Sequence, residues 1–207
     1  MPINFNILIE STLRYQKIEC FLVSGWWGAG KSYSIKKVKE AFGKIVDVFD
    51  VAELVNHEVD SQANNSKYCY GNNNYLFNQA LTQKLTRFYR AKELFCYYRT
   101  LEELSRNPIL NWIHTLHENK IKFILIEVPP LFLIWWDFYR DAYWVDADEM
   151  TRLIRISSSI PQDINEIALY FQLQYETLQF ESNSFKRIVE VKDWSTMIRN
   201  LIQNFRN

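Results

Sequence analysis

The chain has 207 residues, enough for one sizeable core with a small lid. It is 48% hydrophobic and 16% aromatic, which excludes a disordered chain. Its 24 lysines and arginines balance 24 acids, so net charge gives no support to non-specific nucleic-acid or anionic-membrane binding, although a local basic pocket stays possible.

The opening stretch MPINFNILIESTLRYQK carries Glu10 within its apolar part and lacks a basic start, a poor match to a signal peptide. IECFLVSG (18–25) is an apolar, β-branched run closed by Gly25 and reads as a buried strand. SYSIKKVKEAFG (32–43) has helical spacing with Gly43 as its stop, and KIVDVFDV (44–51) reads as a second strand. SQANNSKYCYGNNN (61–74) is a polar loop by composition, and 75–118 reads as helical, with Pro108 expected to break or kink it. IKFILIEV (121–128) is the clearest buried strand and DAYWVDAD (141–148) the fourth. EMTRLIRI opens a helix, SSSIPQD is expected as a mobile polar link, and INEIALYFQLQYETLQF is helical again. FKRIVEV (185–191) reads as a fifth strand and WSTMIRNLIQNF as a closing helix.

Strands alternating with helices predict an α/β fold, a parallel sheet of about five strands flanked by helices. The expected organisation is a single domain. Its core would span 18–60, 119–150 and 185–207, with a helical insertion at 75–118 on the substrate side and a lid-like region at 151–180. The most apolar run, FILIEVPPLFLIWW, is interrupted by Glu127, Pro129 and Pro130 and is shorter than the roughly 20 residues a bilayer requires. Cys20, Cys69 and Cys96 are odd in number with no C-x-x-C spacing, as expected of small hydrophobes in a reducing compartment. The expectation is a soluble cytoplasmic protein, a monomer or small homo-oligomer, with neither nucleic acid nor membrane as partner.

Between the first strand and the first of these helices lies GWWGAGKS, Gly25 to Ser32, which fits G-x-x-x-x-G-K-[ST] in the strand–loop–helix setting that gives such a match meaning. A P-loop wraps phosphate with backbone N–H groups, and the following helix N-terminus adds partial positive charge. Gly25, Gly28, Ala29, Gly30, Lys31, Ser32 and Tyr33 are therefore the candidate ATP-binding residues. Lys31 would reach the β- and γ-phosphates and the Ser32 hydroxyl would ligate Mg²⁺. Trp26 and Trp27 fill positions the spacing leaves free; they could stack on a base, pack beneath the loop or cover a partner. Glu127, ending the most apolar strand, is either a carboxylate holding a Mg²⁺-bound water or a buried acid paired with Lys31 or a backbone group. His114 and His117, three residues apart, have no further ligand nearby and read as an exposed helix face. The basic KKVKE run reads as a solvated face, and the aromatic cluster FLIWWDFYRDAYW as packing that could also line a ligand pocket.

Taken in order from about residue 18, the remaining segments resemble dephospho-CoA kinase, a P-loop kinase related to the nucleoside monophosphate kinases. GWWGAGKS stands for that family's GGIGSGKS, and VDVFDVAEL for its acidic pair, with Asp50 near the second aspartate and Asp47 a weaker match. LEELSRNP keeps Leu101, Glu102 and Pro108 of the family's L-E-x-x-x-H-P, with Asn107 in place of histidine. VPPLFL has Leu133 where the family has an acid. VDADEMTRLIRISSS offers Leu153 and Arg155, with Ser159 at the place of the second lid arginine; Gln174 matches a glutamine of the next helix, and VKDW replaces an asparagine-containing stretch. The VDAD at 145–148 looks like the acidic pair but follows the wrong strand.

The resemblance implies ATP-dependent phosphorylation of the ribose 3′-hydroxyl of dephospho-CoA to give CoA, with ATP and Mg²⁺ as cofactors. Lys31, Asp50 and Arg155 would then be the catalytic residues. Asp50 would orient or deprotonate the acceptor hydroxyl, or alternatively cap a helix beginning at VAELVNH. Arg155 would stabilise transferring charge, or alternatively form a surface ion pair; Arg152, one helical turn away, is its substitute. Two other classes stand beside this one: a non-catalytic or regulatory nucleotide-binding protein, and an ATPase resembling the KAP type by its G-x-W-G-x-G-K-[ST] loop.

Overall fold

The computed structural model describes residues 4–51, 91–116, 120–159, 163–179 and 188–206. Their order is α1 (Phe5–Gln16), β1 (Glu19–Gly25), α2 (Lys31–Phe42), β2 (Val46–Asp50), α3 (Ala91–Thr115), β3 (Phe123–Glu127), α4 (Phe132–Trp135), β4 (Asp141–Val145), α5 (Glu149–Ser159), α6 (Ile164–Gln179), β5 (Ile188–Val191) and α7 (Trp194–Arg206).

The five strands form one parallel sheet in the order β2-β3-β1-β4-β5. Successive side chains of a strand point to opposite faces, and the burial follows that alternation. Cys20 and Leu22 of β1, with Ile124 and Ile126 of β3, enter a core shared with α1, α3 and α4. Phe21 and Val23, with Leu125 and Tyr143, enter the opposite core under α2 and α7. Burial on both faces explains why β1 and β3 are continuous apolar runs rather than alternating ones. Cys20 is a core residue, and burial pushes its thiol far up; Cys69, His117 and the 61–74 loop lie outside the described residues. No helix among the described residues is long and apolar enough to cross a membrane.

The first four strands sit where the sequence puts them, trimmed by one to three residues at one or both ends; the fifth is in place from Ile188 to Val191, and residues 185–187 lie outside the described residues. Four details differ. The segment before the first strand is a helix, α1: the Asn4 side chain accepts from the Asn6 N–H at 3.0 Å, Ile9 and Leu13 are buried one turn apart, and Lys17 ends the helix at φ 59°. Pro108 does not break α3, which runs through it for 25 residues. Pro108 is buried, as are Leu101, Ile109 and Ile113 of the same helix, so tertiary packing outweighs the single missing N–H. Ser157, Ser158 and Ser159 are not a link but the last turn of α5, their hydroxyls donating back to the carbonyls of Ile154 and Arg155. The fourth strand stops at Val145, because Asp148 turns the chain: its carboxylate takes the Thr151 N–H at 2.8 Å and hydroxyl at 2.6 Å, starting α5.

Candidate functional site

The loop from Gly25 to Gly30 leaves the carboxyl end of β1, the central strand, and delivers Lys31 and Ser32 to the first turn of α2. Two glycines are demanded by close approach. At Gly25, φ 141°, an added Cβ would lie 2.1 Å from the Val145 carbonyl oxygen of β4. At Gly28, φ 78°, it would lie 2.9–3.0 Å from the Ile156 side chain and the Arg152 carbonyl, so α5 rests directly on the loop.

Glu127 ends β3, beside β1. Its Oε1 accepts from the Ser32 hydroxyl at 3.2 Å and lies 4.0 Å from Lys31 Nζ. Lys31 Nζ also donates to the Trp26 carbonyl at 3.2 Å. Asp50 ends β2 and stands opposite Glu127 in the β2–β3 register. The sheet thus gathers Lys31, Ser32, Glu127 and Asp50 at the carboxyl ends of three adjacent strands, the edge where open α/β sheets bind ligands.

Burial, with the neighbouring Asp50 charge adding to it, raises Glu127 to about 7 against the pull of Lys31 and the Ser32 hydrogen bond. Burial lowers Lys31 below its ordinary value; Glu127 and Asp50 oppose that, and the Arg152 charge reinforces it. No group of three or more His, Cys, Asp or Glu side chains suited to a metal occurs among the described residues. Hydroxyl and carboxylate oxygens at this spacing do fit Mg²⁺, which binds through one or two protein oxygens and takes the rest from phosphate and water.

Arg155 lies elsewhere. Its Nη1 donates to the carbonyls of Gly28 at 3.2 Å and Ala29 at 3.0 Å, outside the loop. There it lines a cavity of about 400 Å³ with Ala29, Gly30, Tyr33, Lys192 and Trp194. Tyr33 and Trp194 are both partly exposed aromatics, 57% and 36%, at the rim of this space. Both bonds go to carbonyls of the loop backbone rather than to a carboxylate. Asp47, the weaker acidic match, is engaged by Lys39 at 2.8 Å. Any helix that Asp50 would cap lies outside the described residues.

Trp26 and Trp27 pack; neither lines the cavity. The Trp26 ring is 4.2 Å from that of Tyr175 and perpendicular to Trp144 at 5.2 Å. Trp27 meets Tyr170 edge-on at 5.0 Å. The Trp27 N–H donates to Gln174 Oε1 at 3.4 Å, and Gln174 Nε2 donates to the Tyr98 hydroxyl at 3.1 Å, itself 2.8 Å from the Tyr170 hydroxyl. A buried polar chain therefore joins the loop, α6 and α3.

Sequence reasoning missed Lys192 and Trp194 as cavity residues, since VKDW was read only as the place of a lost motif. The turn after β5 lies at the same carboxyl edge as the loop, which is the signal that finds it.

No protein-family model matches the sequence, and no curated protein matches it significantly. Solved structures do resemble it. TT1252 from Thermus thermophilus aligns over 90% of this chain and 97% of its own, at 15% identity and a TM-score of 0.58. Deoxyadenosine kinase from M. mycoides, solved with dATP, aligns over 91% of this chain and all of its own, at 12% identity and a TM-score of 0.51. At such identities the likeness speaks for the fold: with its five-stranded parallel sheet and Gly25–Ser32 loop, this chain has the α/β fold of a P-loop NTPase.

Proposed function

We propose that this protein is an ATP-dependent small-molecule kinase, with dephospho-CoA as its acceptor. The observation that supports this most is the convergence of Ser32 Oγ, Lys31 Nζ and Glu127 Oε1 within 3.2–4.0 Å, with Asp50 across the register from Glu127. In this reading the loop N–H groups and Lys31 neutralise the β- and γ-phosphates. Ser32 and Glu127 would hold Mg²⁺, which supplies charge neutralisation on the transferring phosphoryl. Asp50 positions the acceptor hydroxyl and takes its proton as the oxygen attacks. The cavity beside Tyr33, Arg155 and Trp194 is of a size to receive part of the nucleotide, with aromatic and guanidinium faces suited to stacking on a base. Gly25, Gly28, Ala29 and Gly30 then serve as the phosphate wrap, and Arg155 as a clamp on the nucleotide side of the loop.

A coupled assay with Mg·ATP and dephospho-CoA tests the reading. Turnover with dephospho-CoA well above that with nucleosides, and above ATP hydrolysis without acceptor, is the expected result. Tight ATP binding with no transfer to any acceptor overturns the enzymatic reading, and hydrolysis unaffected by acceptor replaces it with an ATPase.

A further inference from the structure

Lys31 is held by a backbone acceptor whose direction is set from outside the loop. Its Nζ donates to the Trp26 carbonyl at 3.2 Å, and the Ala29 N–H donates to the same oxygen at 3.1 Å. The other end of that peptide unit is the Trp27 N–H, which donates to Gln174 Oε1 at 3.4 Å. A trans peptide is planar, with its carbonyl and N–H on opposite edges. Whatever fixes the N–H therefore aims the carbonyl, here at Lys31. Among the described residues this carbonyl is the one hydrogen-bond acceptor of Lys31, since Glu127 at 4.0 Å is beyond hydrogen-bond reach.

Gln174, on α6, is itself fixed. It is buried, as are Tyr98 of α3 and Tyr170 of α6. The Trp27 N–H can only donate, so the carboxamide must offer it the oxygen. Nε2 then faces the Tyr98 hydroxyl at 3.1 Å and the Tyr170 hydroxyl at 3.5 Å, and the two hydroxyls stand 2.8 Å apart. A reversed carboxamide would set its NH₂ against the Trp27 N–H, two donors facing each other away from water, which is costly. One orientation therefore satisfies the whole group. Direct contacts run from Tyr98 to Gln174, to the Trp26–Trp27 peptide, and on to Lys31 in the first turn of α2.

We propose that Gln174 is a positioning residue for the loop lysine: by holding the Trp26–Trp27 peptide it sets where Lys31 Nζ stands, and it makes that setting depend on Tyr98 of α3. A change on α3 then reaches the phosphate side of the site without touching it. The consequence for chemistry rests on the kinase reading, in which Lys31 meets the β- and γ-phosphates. The link from Gln174 to Lys31 does not rest on that reading.

Brief acetylation of the ligand-free chain with acetic anhydride at one pH, with each lysine read by mass spectrometry, tests the link. Only the neutral amine reacts. Gln174→Met keeps the length and apolar body of the side chain but holds neither the Trp27 N–H nor Tyr98. Burial already disfavours the charge on Lys31. Without its aimed acceptor the ammonium is harder to keep, so Lys31 is expected to label more than about twofold faster, with Lys37 and Lys39 of the same helix unchanged. Tyr98→Phe removes a hydroxyl alone and should move Lys31 the same way by a smaller factor, because the Tyr170 hydroxyl remains; no change there overturns the link to α3. Glu102→Ala, far from the loop, is the control for loosened packing. Lys31 labelling within about twofold of wild type in Gln174→Met, or raised equally by Glu102→Ala, overturns the proposal. Should Gln174→Met not fold, Gln174→Asn, one methylene short of the Trp27 N–H, is judged by the same two criteria. In the coupled assay kcat is expected to fall roughly ten- to a hundredfold in Gln174→Met, as for a misplaced catalytic group, and a kcat within about twofold of wild type overturns the positioning role. Absence of turnover in the wild-type chain ends the kinase reading and leaves the labelling test standing.

Discussion

Glu127→Gln separates what the site does for stability from what it does for chemistry. The wild-type carboxyl is raised from its ordinary 4.5 to about 7 by burial and by Asp50. Because the folded state holds this proton more tightly than the unfolded chain, its contribution is present below about pH 4.5 and drains away as pH rises through about 7. The full change corresponds to roughly 3 kcal/mol. Glutamine is neutral at every pH and can still accept from the Ser32 hydroxyl, so the variant lacks this slope. Part of the gain is lost because Lys31, 4.0 Å from the carboxylate, forfeits its counter-charge. The expected outcome for ligand-free protein is a variant equal to wild type at pH 5 and more stable at pH 8, by up to about 3 kcal/mol, or about 6–12 °C in Tm for a chain of this size. Denaturant or thermal unfolding at the two pH values, without Mg²⁺ or nucleotide, reads it directly. A variant less stable than wild type at pH 8 would refute the reasoning, showing that the Lys31 pairing outweighs burial and that the carboxyl is ionised at no cost.

The same variant should lose Mg²⁺-dependent turnover by about a hundredfold or more, as expected when a charge neutralising the phosphoryl group is removed; wild-type turnover at limiting Mg²⁺ should rise between about pH 6 and 8 as Glu127 loses its proton. Asp50→Asn is expected to lower kcat by roughly 10²–10⁴ while leaving ATP affinity within a few fold; an unchanged kcat would remove Asp50 from proton transfer. Lys31→Ala should abolish phosphoryl transfer, and equilibrium binding should show a matching loss for Mg·ATP. Far from the loop, Glu102 is 1% exposed and accepts two bonds from Arg106 at 2.9 Å and one from Trp136 Nε1 at 2.8 Å. Glu102→Ala should cost about 3–5 kcal/mol in denaturant unfolding, since it strands a partly buried guanidinium and a buried indole N–H.

The fold was legible because its signals are local or doubly buried. β1 and β3 are sandwiched between two cores, so they stand out as unbroken apolar runs, and the loop announces itself by spacing. α1 was not legible: its buried stripe is short, Ile9 and Leu13, and the cap that begins it is a single asparagine side chain. Pro108 misled because a rule about one hydrogen bond competes with the burial of Leu101, Ile109 and Ile113 on the same helix, which dominates. In the site, Lys31, Ser32, Glu127 and Asp50 could be named because each closes a strand or follows one. Arg155 was favoured over Arg152 by matching a spacing. Arg152 turns inward instead: Arg152 and Ile156, four apart, share one face of α5, and both are buried at 1% and 4%. Polarity hides such an arginine in a sequence, and only its inward neighbours identify it.

The two tryptophans matter to this chain for a mechanical reason. In a P-loop the free positions must not intrude on the phosphate, and here they point away from it, into the helices that follow β4. Trp26 rests on Tyr175, Trp27 on Tyr170 and Phe171, and the Trp27 N–H is held by Gln174. The close seat of Ile156 and the Arg152 carbonyl on Gly28 adds a direct backbone contact. Each aromatic pair contributes about 0.5–1.5 kcal/mol beyond its burial, so swinging α5 and α6 clear of the loop would cost several kcal/mol. The loop, α5 and α6 are thereby coupled before any ligand arrives. Two of the rings that grip the loop, Trp26 and Tyr175, also cage the Arg152 guanidinium. The aromatic loop is thus compatible with phosphate binding and is tied to the helices that follow β4.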